Sequence, residues 1–160
     1  MKTFKDNAGR TWTVGIDVAA IKRVRSLLDV DLMSAVEGKL LERLVSDPVL
    51  LCDVIYCVCK PEADSNGVSD EEFGRAMAGD AVDHATTALL EELVDFFPQA
   101  RRRLLAKALG KLKVLEARAL EVAEMKLDSP ELEAEMEAAL ASIGDSSGSS
   151  PGSPGSTLVH

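Results

Sequence analysis

The sequence predicts a mainly α fold (α+β): an N-terminal β-hairpin packed on a multi-helix bundle, then a long C-terminal helix and a disordered Gly/Ser/Pro tail. Three observations carry this. Aromatic residues make up only 4% of a chain that is 46% hydrophobic, and Leu, Ala and Val supply most of its apolar mass, a balance suited to helix-on-helix packing. Apolar residues recur at three- and four-residue spacing through most of residues 18–143. The clearest period-two stretch, Thr11 to Ile16, follows the turn-forming run Asp6-Asn7-Ala8-Gly9.

In the hairpin, Phe4, Trp12, Val14 and Ile16 fall on one apolar face. A lone hairpin is marginal in water, so that face must lie on a helix. Asp17 is placed to cap a helix whose Val18, Ile21, Val24, Leu27 and Leu28 share a side, with Lys22, Arg23 and Arg25 on the wet side. Residues 32–44 fit a further helix that Gly38 weakens. Asp47-Pro48 starts a core helix, apolar nearly all round, which Pro61 ends; residues 62–68 then read as a polar loop. Ser69 and Glu72 fit a capping box opening a helix to Ala78, Gly79 closes it, and Asp80 caps an amphipathic helix that ends before Pro98. From Gln99 to Lys126, Leu105, Leu112 and Ala119 occupy one heptad position and Ala108, Leu115 and Val122 another, so a long helix is expected despite Gly110. Ser129-Pro130-Glu131 restarts a last helix, and residues 144–160 read as flexible tail. The organisation is therefore a hairpin-plus-helix domain over 1–98, a helical extension over 99–143 and the tail.

The 160 residues carry a formal charge of −9, which disfavours a general nucleic-acid binder. The charge is segregated: residues 1–60 carry +1, 61–98 carry −9, 99–118 carry +6 and 119–160 carry −7. Acidic and basic stretches then hold each other or face different partners. Three cysteines cannot all pair within one chain, and no apolar run spans a bilayer or forms a secretion signal. A soluble protein of a reducing cytoplasm is expected, with no membrane partner.

The residues that carry chemistry elsewhere do not assemble into a motif here. Cys52, Cys57 and Cys59 are spaced C-x4-C-x-C, without the paired knuckles of zinc sites, and read as small core hydrophobes. His84 stands near Asp80 and Asp83, but no nucleophile sits at a recognisable elbow. Asp64, Asp70, Glu71 and Glu72 surround Asn66-Gly67 without the order of a calcium loop. No catalytic residue, metal or cofactor is expected. Arg101, Arg102 and Arg103, with Lys107, Lys111 and Lys113, form the one basic patch; it lacks aromatics for stacking and suits an acidic protein surface better than nucleic acid. Leu132, Met136, Leu140 and Ile143 make a narrow apolar stripe on an acidic helix, which either packs back on the long helix or binds a partner groove.

Four stretches carry a resemblance: Phe4-Lys5-Asp6-Asn7-Ala8-Gly9-Arg10-Thr11-Trp12, Ile21-Lys22-Arg23-Val24-Arg25, Val68-Ser69-Asp70-Glu71-Glu72-Phe73-Gly74, and Leu89-Leu90-Glu91-Glu92-Leu93-Val94-Asp95-Phe96-Phe97-Pro98. Over residues 1–105 the chain resembles tail assembly chaperones of tailed phages and prophages. The resemblance implies a non-enzymatic helper in the bacterial host cytoplasm that binds the tape measure protein, alongside tail tube protein, before the tube assembles and then leaves. In that family a longer frameshifted form often exists, and the linker-like end here is similar to what precedes such an extension. On this reading Leu132, Met136, Leu140 and Ile143 supply apolar contact and Arg101, Arg102 and Arg103 steer by charge. The alternatives are a virion component such as a head–tail connector or completion protein, or a nucleic-acid-binding regulator using the basic helix at 101–118. Self-association is a further possibility of the amphipathic helices.

Overall fold

The computed structural model describes residues 1–145 and Gly152; the expected tail from 146 onward otherwise lies outside the described residues. It contains two compact units, residues 1–113 and the residues from 114 onward.

The first unit opens with β1 (Lys2–Lys5) and β2 (Thr11–Val14), antiparallel with Phe4 opposite Trp12. The turn closes through Asp6 N–H to Arg10 O at 2.9 Å and Gly9 N–H to Asp6 O at 3.0 Å. Gly9 takes φ +82°, the left-handed residue that a three-residue hairpin loop requires. Phe4, Trp12 and Val14 are buried as the alternation predicts, and Ile16 packs partly against them. This face lies on α5 (Asp80–Phe96) and α3 (Pro48–Asn66), whereas α1 (Val18–Leu28), the helix next in sequence, packs on α3 instead.

Capping follows the sequence closely at three of the four starts. Asp17 accepts from Ala20 N–H at 2.7 Å, Asp47 accepts from Val49 and Leu50 N–H with Pro48 behind it, and Ser69 and Glu72 form the reciprocal box of α4 (Asp70–Arg75). At the fourth, Gly79 stands at the cap of α5 and Asp80 is already inside the helix. Asp80 places a negative charge in the first turn, which suits the positive end of the helix dipole, and no side-chain hydrogen bond caps the start. The α4 helix also stops at Arg75, short of the expected Ala78.

Three further expectations are corrected. Residues 32–44 are not one helix: a 3-10 turn (Leu32–Glu37) ends at Gly38, whose φ of +83° breaks the spiral, and α2 (Lys39–Ser46) starts afresh. Val18 and Leu27 are exposed, and Arg23 is half-buried and does not lie on the wet side. Pro61 does not end α3, which continues to Asn66. A proline inside a helix leaves the carbonyl four residues back without its N–H. That carbonyl belongs to Cys57, and the Arg23 Nη1 donates to it at 2.8 Å and to Val58 O at 3.2 Å. The helix passes through its proline because a side chain from α1 supplies the missing donor.

The core of this unit gathers Trp12, Val24, Leu41, Leu44, Ile55, Phe73, Leu89, Leu93 and Phe97. Trp12 meets Phe73 edge-on with ring centroids 5.1 Å apart. The long helix α6 (Gln99–Leu127) runs unbroken through Gly110, and its Leu105 and Leu109 are buried in the same core.

In the second unit, α6 continues to Leu127 and α7 (Pro130–Asp145) follows a short turn in which Ser129 Oγ accepts from Leu132 N–H at 3.3 Å. The last helix runs through Gly144 and Asp145, where tail was expected.

Candidate functional site

The apolar stripe of α7 is held on a helix with no buried residue. Leu132 is half-buried, while Met136 is 57%, Leu140 67% and Ile143 67% exposed. Their spacing of four, four and three puts them on one line along the helix, among Glu131, Glu133, Glu135 and Glu137. The preceding stretch of α6 also exposes large apolar side chains, Leu115, Leu120, Val122 and Met125 each being at least half exposed, though not on one line. Apolar helical surface of this kind is suited to burial against another helix and has no direct use in covalent chemistry.

The three arginines are divided by the structure. Arg102 is engaged at the end of α5, its Nη2 donating to Asp95 O at 2.7 Å and its Nε to Phe97 O at 3.2 Å. It therefore serves the terminal carbonyls of that helix. Arg101 and Arg103 are exposed, as are Lys107, Lys111 and Lys113.

A polar cluster that the sequence did not single out lies at the hairpin turn. Asp6 has a fully buried side chain whose oxygens accept from Trp12 Nε1 at 2.8 Å, Arg10 Nε at 2.8 Å, Arg10 N–H at 2.9 Å and Ala8 N–H at 3.0 Å. Burial pushes its pKa up, but the donors from Trp12 and Arg10 outweigh that and hold it below the ordinary carboxylate value. The turn is in turn fastened to the end of α4, with Asn7 N–H on Ala76 O and Asn7 Nδ2 on Ala78 O, both at 3.0 Å. The stretches around residues 4–12 and 68–74 thus meet in space. The only sequence signal was an Asp at the head of a turn with an Arg and a Trp shortly after it.

The cysteines are packing residues with one polar duty. Cys57 and Cys59 are buried and Cys52 is half-buried, all as free thiols. Burial pushes the Cys59 thiol up to about 12, and its Sγ donates to Thr13 O at 3.5 Å. Burial raises Cys52 and Cys57 as well. These are the surroundings of inert thiols rather than nucleophiles. Among the described residues no group of three or more His, Cys, Asp or Glu is placed to hold a metal ion, and no helix is long and apolar enough to cross a membrane.

His84 is exposed beside β1, where with Thr3, Lys5, Thr87 and Glu91 it lines a groove of about 510 Å³. Lys2 and Glu91 pair at 3.2 Å within it. Set against known proteins, the chain matches no family model, no curated protein and no solved structure.

Proposed function

We propose that the chain is a non-catalytic binding protein of the tail assembly chaperone kind, which takes a helical partner on the stripe Leu132, Met136, Leu140 and Ile143. The observation that carries the reading is the exposure of Met136 and Leu140 on a helix that buries nothing of its own. The resemblance in residues 1–105 names the partner as a tape measure protein, with tail tube protein as its co-client. Tape measure proteins are long and helical, so an amphipathic helix that can exchange partners is the appropriate tool. Arg101 and Arg103 add positive charge for steering toward an acidic partner surface, while Arg102 is already committed to α5.

The test is co-expression of the full chain with the tape measure and tail tube proteins of the same genome, followed by affinity purification. The wild type is expected to carry the tape measure protein with it, and Met136→Glu with Leu140→Glu to lose at least tenfold of that capture while keeping its circular dichroism. Absence of capture by the wild type removes the chaperone reading. Mass spectrometry that finds the chain in purified virions at tail-component stoichiometry makes it a structural part of the particle instead.

A further inference from the structure

The two edges of the hairpin are treated differently. In an antiparallel pair, alternate residues point their backbone N–H and C=O outward. The bond from Asp6 N–H to Arg10 O sets the phase, so Thr11 and Thr13 face outward on β2, and Thr3 and Lys5 face outward on β1. The β2 edge is closed at its middle, where Thr13 N–H donates to Glu62 Oε2 at 2.9 Å and Thr13 O accepts from Cys59 Sγ, and only Thr11, next to the turn, is left without a hydrogen-bond partner among the described residues. On β1, the outward backbone groups of Thr3 and Lys5 have no hydrogen-bond partner among the described residues, and both residues are exposed. An unpaired edge is a template for another strand.

The groove of about 510 Å³ lies along this same edge. Its other wall is α5, where His84, Thr87 and Glu91 follow each other at three- and four-residue spacing and so form one line. An edge strand beside a helix, with a groove between them, is the geometry in which an extended peptide is held by main-chain hydrogen bonds while the helix contacts its side chains. We propose that the β1 edge is a docking site for an extended, acidic peptide segment of a partner protein, added as a third strand between β1 and α5. Three features select that occupant. Fixed N–H and C=O groups recurring every second residue demand an extended backbone. The groove is of the size that holds a small ligand or a few residues, so it takes a single strand and not a folded second copy. Of the Lys and Glu side chains lining the groove, Lys2 is matched by Glu91 while Lys5, at the turn end, makes no ion pair among the described residues, so the unmet charge of the lining is positive. The site involves none of the α7 residues of the proposed function and stands or falls separately.

The probe is an acetylated, amidated peptide of sequence Glu-Val-Thr-Val-Glu-Val-Thr, titrated into the full isotope-labelled chain and followed by amide shifts and hydrogen exchange. Protection is expected at the Thr3 and Lys5 amides, with shifts at Thr87 and His84. Thr3→Pro removes an outward N–H without touching the internal ladder and should weaken binding about tenfold, while Thr3→Val, which keeps the N–H, should not. N-methylation of the peptide at one alternate set of residues should abolish binding and at the other leave it, a comparison that leaves the protein unaltered. Replacing both glutamates by lysines should weaken it further. Unchanged exchange at Thr3 and Lys5 overturns the proposal, as does equal binding by the two position-3 variants or by both methylated peptides. A concentration-dependent dimer that Thr3→Pro dissolves assigns the edge to a second copy and also overturns it.

Discussion

The Arg23 guanidinium sits 2.8 Å from the Cys57 carbonyl, the oxygen that Pro61 leaves without its helical N–H. Two positions 38 residues apart in the chain are therefore one structural device. The proline removes a donor in the middle of the core helix and the arginine replaces it, extending the contact to Val58 O. Without the arginine, a half-buried carbonyl would lack a partner where the hairpin and α1 both pack on α3.

This makes the two residues energetically coupled. Arg23→Met should destabilise the chain by about 1–3 kcal/mol in urea unfolding, the cost of leaving carbonyls unpaired. In a Pro61→Ala background, where the backbone N–H returns, the same change should cost about 1 kcal/mol less. Strict additivity of the two variants would show that Arg23 acts elsewhere.

Asp6 should govern the acid end of the stability profile. Its carboxyl is held below the ordinary value of 3.8, so the unfolded chain takes up this proton first as pH falls. Its contribution is whole above about 3.8 and is lost progressively below it. Asp6→Asn should cost about 3 kcal/mol near neutrality, because the Trp12 and Arg10 donors lose their charged acceptor, and should flatten the profile below pH 4. An unchanged acid limb in the variant would assign the acid transition to other carboxylates.

Cys59 acts at the alkaline end with the opposite sign. The folded thiol ionises near 12 and the free one near 9.0. Between those values the unfolded state sheds a proton that the native state keeps, so stability falls as pH rises from about 9 toward 12. Cys59→Ala should lose that part of the slope. In native alkylation followed by peptide mass spectrometry, Cys52 should label first and Cys59 only on unfolding.

Apolar residues of α6 and α7 should divide by burial and not by type. Leu105 is 1% and Leu140 67% exposed. Leu105→Ala should cost about 2–5 kcal/mol, and Leu140→Ala should stay within about 0.5 kcal/mol, each measured by chemical denaturation. Equal costs would mean that α7 is docked in solution.

The parts of the fold that follow from short-range chemistry were legible in the sequence. The hairpin turn, the Asp17 and Asp47 caps, the Ser69–Glu72 box and the unbroken run of α6 are each fixed within a few residues. What escaped was decided at a distance. Pro61 reads as a stop until Arg23 is seen to replace its donor, and Gly38 reads as a weak helical residue until its left-handed backbone divides 32–44. The candidate site shows the same limit. Periodicity gives Leu105, Leu112, Leu115 and Val122 equal standing, yet Leu105 is buried, Leu112 is partly covered and the other two are exposed. A heptad records which side is apolar; only the rest of the fold records what covers it. Asp6 was invisible as a centre because three of its four donors come from Arg10 and Trp12, whose orientation only the hairpin defines.

The fastening of the hairpin turn to Ala76 and Ala78 has a consequence for the order in which the protein can be made. Its strands leave the ribosome before the surfaces that cover them, which belong to α3 and α5, and α5 ends only at Phe96. At about 5–20 residues per second, the wait is about 4–16 s. During that interval Phe4 and Trp12 lack the α5 side of their covering, and a hairpin by itself is too weak to shield them. Residues 1–16 are thus synthesised before the elements that cover them and are among the last parts of this unit to be secured. A nascent chain halted before residue 80 should remain sensitive to protease at its N-terminal end, and one extended past residue 113 should not.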